Sequence, residues 1–206
     1  MDEITVMSKT YSSISEFANA YIQRLTSAIE TVRPESLERF ASELQDARRS
    51  GATVFLAGNG GSAATASTMA NDLGSDLFRK RSDEAPLRVL SLTDNASVLT
   101  AVANDTGYQN VFLQQVKIHF RPGDKLIVIS ASGNSPNVVA IARWVKAQNG
   151  MVLGLVGFDG GELLGLCDVA IHVKTDAGEY GPVEDSHLVM NHILANWLQQ
   201  ADFDEN

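Results

Sequence analysis

The sequence predicts a single α/β domain, a parallel sheet with helices on both faces and helical additions at both ends. Three observations carry this. Five short apolar runs follow Gly51, at 53–57, 87–92, 125–130, 151–156 and 169–173, with helix-length segments between most of them. The runs are unbroken rather than alternating, as expected of parallel strands buried on both faces. Polar, glycine-rich stretches follow the first and third runs, where an open parallel sheet places its ligands.

Residues 1–11 are mixed in character and predict no packed element. From Ser15, Phe17, Tyr21, Leu25, Ile29 and Val32 recur at helical spacing. Pro34 breaks that pattern and suits the first turn of a second helix, with Leu37, Phe40 and Leu44 facing inward. This helical pair occupies residues 1–50 and covers either the core or another subunit. Residues 51–206 form the α/β core, closing with a long helix over 183–200 that carries Leu188, Ile193, Leu194 and Leu198. There is no internal repeat, low-complexity tract or linker.

The chain has 206 residues, 44% hydrophobic and 20% charged, ordinary values for a globular domain. A net charge of −9 argues against a protein that neutralises many nucleic-acid phosphates, so no direct nucleic-acid partner is expected. A small anion remains possible, because free backbone N–H groups at a helix N-terminus bind one without a basic side chain. No apolar run approaches the ~20 residues of a membrane span, and the N-terminus lacks a signal-peptide pattern, so no membrane partner is expected. The single cysteine, Cys167, excludes an intrachain disulfide and reads as a plain buried thiol, as expected in the cytoplasm.

The first polar loop is Gly58-Asn59-Gly60-Gly61-Ser62. It is neither GxGxxG nor followed by GK[ST], so no nucleotide cofactor is expected. The second is Ser130-Ala131-Ser132-Gly133-Asn134-Ser135-Pro136-Asn137, serine hydroxyls ahead of a helix that Pro136 can start, which suits a phosphate. The second strand ends in Thr93-Asp94-Asn95, and Asn104-Asp105 follow downstream. These read as hydrogen-bonding groups for hydroxyls or as turn and cap residues.

The sequences "GNGGS", "SxSGNS" and "GFDGGEL", with 93–95 and 102–105, resemble the sugar isomerase (SIS) domain over about residues 12–200. Within it they resemble the phosphoheptose isomerases and the related proteins that associate with the replication initiator. The resemblance implies a three-layer fold with a five-stranded parallel sheet and an N-terminal helical pair. It also implies a homotetramer with sites built from more than one subunit, and a sugar phosphate as small-molecule partner. Ser130, Ser132, Asn134 and Ser135 then bind the phosphate, Asn59, Gly60 and Ser62 lie near the substrate, and Asp94 matches a sugar-contacting position.

The implied reaction is an aldose–ketose isomerisation of sedoheptulose 7-phosphate through an enediol, with Asp72 and His192 in acid–base roles. The alternative is a phosphosugar-binding scaffold or regulator without chemistry. In the isomerase group, His and Glu on the helix after the first loop, with Gln and His on the last helix, bind zinc. Here these positions hold Thr68, Asp72, Glu184 and His192, so Asp72, Glu184 and His192 are the candidate zinc ligands, and Thr68 replaces a strong one. Thr68 and Asp72 are predicted to share one helix face, and Glu184 and His192 lie about 80° apart around theirs. His187 is expected beside the site or at a subunit interface.

Overall fold

The computed structural model describes residues 9–81 and 85–200; the expectation for residues 1–11 therefore lies largely outside the described residues. Helices α1 (Ile14–Ile29) and α2 (Pro34–Ser50) lead into five strands: β1 (Thr53–Gly58), β2 (Arg88–Ser91), β3 (Lys125–Ser130), β4 (Met151–Val156) and β5 (Val169–His172). The helices between them are α3 (Gly61–Ala70), α4 (Leu77–Lys80), α5 (Ala96–Thr106), α6 (Leu113–His119), α7 (Pro136–Ala147) and α8 (Gly161–Leu166). The last is α9 (Tyr180–Gln200). It starts three residues ahead of the predicted segment because Pro182 is tolerated in a first helical turn.

All five strands are parallel, in the order β2-β1-β3-β4-β5. Successive strand residues point to opposite faces, so each strand feeds two cores. Val54, Leu56, Ile127, Ile129, Leu153 and Leu155 pack beneath α2, α3 and α9. Phe55, Ala57, Leu126, Val128, Val152 and Val156 pack beneath α6, α7 and α8. Burial on both faces is why the strands read as continuous apolar runs.

α1 stands outside these layers, against α9, with Ala28 as its one buried residue. Its Arg24 guanidinium pairs with Glu179, which is only 2% exposed, and the Tyr21 hydroxyl donates to Asp185 at 2.5 Å. Polar contacts thus tie α1 to the start of α9 while Ile14 and Ile22 remain exposed. No described helix is long and apolar enough to cross a membrane. Cys167 is partly rather than fully buried, and burial, with Asp168 beside it, still pushes its thiol up to about 12.

Candidate active site

The strand order reverses beside β1: the chain leaves it for β2 on one side, then crosses to β3 on the other. Ligands favour such a switch point, at the carboxyl ends of the two strands. Gly58 pairs with Ile129, so the loops after β1 and β3 leave the sheet at adjacent levels. They are joined by a reciprocal amide pair. Asn59 Nδ2 donates to Asn137 Oδ1 at 2.8 Å, and Asn137 Nδ2 donates to Asn59 Oδ1 at 2.9 Å. The Tyr108 hydroxyl also donates to Asn59 Oδ1 at 2.9 Å. Asn137 is buried in the first turn of α7, so the pair fixes Asn59 to the serine loop. Gly60 precedes α3, its carbonyl accepting from Ala63 and Ala64, and Ser62 is buried in the first turn.

In the serine loop, Ser130 Oγ is buried and accepts from the Gly133 N–H at 3.1 Å. Ser132 Oγ accepts from the Asn134 N–H at 3.3 Å, and the Asn134 side chain bridges the Ser132 carbonyl and the Glu162 N–H. Ser135 is the N-cap of α7 yet makes no side-chain capping bond, which leaves its hydroxyl for a ligand at the positive end of a twelve-residue helix. Residues 157–163 brace the loop from behind. Gly133 has φ +64°, and a Cβ there would overlap the Gly160 carbonyl oxygen. Phe158 in that brace holds the left-handed φ of 48°, its ring edge-on to Tyr180 and its carbonyl bonded to His172 Nε2 at 2.9 Å. Such a conformation costs a non-glycine residue about 1–2 kcal/mol.

Asp94 lies at the end of β2. Its Oδ1 accepts from the hydroxyls of Ser67, Ser91 (2.9 Å) and Thr93 (3.0 Å). This fan ties α3 to the second strand end through one oxygen of the carboxylate. Asn95 is a helix cap, accepting from Val98 N–H, and Asn104 donates to its neighbour Asp105.

The remaining candidates lie where α9 runs alongside α3, in the same direction. Asp72 belongs to a π-helical turn, Asn71–Asp76, that continues α3. Its Oδ2 lies 3.7 Å from His192 Nε2 and accepts from Asn191 Nδ2 at 2.7 Å. Glu184 is two turns away, against the start of α3, where a Cβ on Gly61 would overlap its carboxylate. Thr68 gives its hydroxyl to the Ala64 carbonyl. Asp72 and His192 therefore meet, whereas Glu184 does not join them, and no group of three His, Cys, Asp or Glu gathers among the described residues. The predicted 80° separation counted rotation but not rise: eight residues advance a helix by about 12 Å. This donor set does not fit zinc within one chain. His187 is fully buried and its ring nitrogens have no hydrogen-bond partner, so it belongs to the core rather than to the acid–base pair. Burial pushes it down to about 4, the nearby Val156 backbone only partly opposing this.

Four residues that complete the arrangement escaped sequence reasoning: Asn137, Tyr108, Ser67 and Asn191. Only Asn137 carried a signal, as a polar residue in a helix first turn beside the serine loop.

The family model of the SIS domain matches residues 16–157. Phosphoheptose isomerase of Rhodospirillum rubrum is 38% identical over 153 residues, 74% of this chain and 79% of that one. That of Aneurinibacillus thermoaerophilus is 32% identical over 195 residues, 92% of this chain and 96% of that one. Among solved structures, phosphoheptose isomerase GmhA from Neisseria gonorrhoeae superposes with a TM-score of 0.82 at 27% identity, over 92% of this chain and 100% of that one. Two strand-end loops joined at a switch point, and this likeness over nearly the whole chain, lead to one assignment: the chain belongs to the SIS domain family, in its phosphoheptose isomerase group.

Proposed function

We propose that this chain is a phosphoheptose isomerase of the cytoplasm, interconverting sedoheptulose 7-phosphate and an aldoheptose 7-phosphate. The observation that carries the reading is the Asp72–His192 contact between α9 and the helix that rises from the first loop. The serine loop and the N-terminus of α7 hold the phosphate, and Asp94 with Asn59 orients the hydroxyls. From the ketose, a base of the pair removes a proton from C1, giving the enediol. A proton returned to C2, with transfer of one proton from O1 to O2, gives the aldose. Carboxylate and imidazole divide these transfers.

The site is shared between copies in this reading. Asp72 lies eleven residues beyond Gly61, about 16 Å along a helix of 1.5 Å rise. A seven-carbon sugar phosphate spans only about 10 Å at C–C bonds of about 1.5 Å. That separation along the helix favours a site in which a neighbouring copy supplies either the phosphate loop or the acid–base pair. Trp197 and Ile193, 55% and 41% exposed just beyond His192, offer apolar surface for that contact. A homotetramer is the assembly proposed.

The test is NMR of sedoheptulose 7-phosphate in D₂O with metal-stripped and zinc-loaded protein. Aldose formation or deuterium at C1 supports the reading. Binding without either overturns it in favour of a sugar-phosphate-binding scaffold.

A further inference from the structure

We propose that Asn191 is a positioning residue that fixes the Asp72 carboxylate against His192, an inference that rests on the isomerase reading above. Asn191 is fully buried on α9, one residue before His192. Its Nδ2 donates to Asp72 Oδ2 at 2.7 Å, and this is the same oxygen that lies 3.7 Å from His192 Nε2. The other oxygen, Oδ1, accepts from Asn71 Nδ2 at 3.1 Å, at the exposed side of the turn. The amide thus holds the oxygen that faces the imidazole.

Two features argue that this serves chemistry rather than packing. First, Asn191 Oδ1 is buried without a hydrogen-bond partner. An unsatisfied buried acceptor destabilises a fold, whereas an apolar residue of the same size does not. Met190, Leu194 and Ala195 on α9 and Leu73 beside Asp72 belong to the core, and the buried His187 lies one turn earlier on the same face of α9. A leucine would suit the position better if packing were its only duty. Second, aspartate has a short side chain and stands here on a π-helical turn, where the backbone departs from regular helix. The carboxylate therefore depends on a second element to hold its direction. Asn191 supplies that hold from the helix that carries His192, so any shift of α9 moves donor and imidazole together.

The experiment compares wild type, Asn191→Leu and Asn191→Ser as full chains, measuring kcat and KM for sedoheptulose 7-phosphate, C1 deuterium exchange and the urea midpoint. Displacing a reacting group by about 1 Å costs up to about a hundredfold in rate. Asn191→Leu should lower kcat and exchange by about tenfold to a hundredfold, with KM moved less than about threefold and the urea midpoint equal or higher. Asn191→Ser, which keeps a hydroxyl donor, should recover part of the rate. Wild-type kcat in Asn191→Leu overturns the proposal, and so does a loss of kcat that only accompanies a lowered urea midpoint. An inactive wild type overturns the isomerase reading itself, and that outcome is separate from any difference between wild type and variants.

Discussion

His187 makes stability depend on pH in a direction the structure fixes. It is fully buried on α9, and burial lowers it from 6.5 to about 4, the Val156 backbone partly opposing this and His172 adding to it. Above pH 7 neither the folded nor the unfolded chain protonates this ring, and its contribution is flat. Below about 6.5 the unfolded chain binds the proton and the folded chain does not, so stability falls until the folded pKa is reached. At 1.36 kcal/mol for each pH unit, going from pH 7.5 to pH 5 costs about 2 kcal/mol and the full interval about 3 kcal/mol. Carboxylates held low in the folded state, such as Glu179 beside Arg24, lose stability in the same direction, but near and below their ordinary range of about 4.3. Between 7.5 and 5 these carboxylates contribute little, and a His187→Leu comparison separates this ring from the chain's other histidines. Urea unfolding of wild type and His187→Leu at one protein concentration measures it. His187→Leu should lose the acid slope and match or exceed wild type at pH 7.5, since it removes unsatisfied buried nitrogens. Parallel pH curves for the two proteins would refute the reasoning.

Two further outcomes follow from single contacts. Gly133→Ala puts a Cβ into the Gly160 carbonyl at a left-handed φ, so the serine loop must move; phosphosugar affinity should drop at least tenfold by titration calorimetry while far-ultraviolet circular dichroism stays native. Arg24→Met leaves Glu179 buried without its guanidinium and should cost on the order of 3 kcal/mol in urea unfolding, with α1 losing amide-exchange protection before the sheet does.

The sheet was legible because parallel burial leaves a plain mark. The runs at 125–130 and 151–156 match β3 and β4 end for end, and the others differ by a residue or two. Strand order was not legible from the residues, since it depends on which faces the crossovers cover, and periodicity does not carry that. The same division holds in the site. The serine loop announced itself by composition, and its place after a strand followed from the alternation of elements. Asn59 was visible for the same reason, but its locking by Asn137 and Tyr108 was not, because those partners lie 78 and 49 residues away.

The three candidate zinc ligands do not gather within one chain, for a geometric reason that a sequence hides. Spacing on a helix gives an angle directly, and 80° between Glu184 and His192 looks like one face. What decides coordination is the rise and the neighbouring helix. α9 runs alongside the helix after β1, so Glu184 is set beside Gly61 and His192 beside Asp72. Gly61 is what admits the Glu184 carboxylate, and the π-helical turn is what presents Asp72; neither is written in residue spacing. With the threonine at 68 turned back onto its own helix, the proposed roles rest on a carboxylate, an imidazole and the buried amide between their helices. That amide is unremarkable in the sequence, one asparagine in an apolar stretch. Only its burial with an unpaired oxygen makes it informative, because a fold retains such a group at a cost to its own stability.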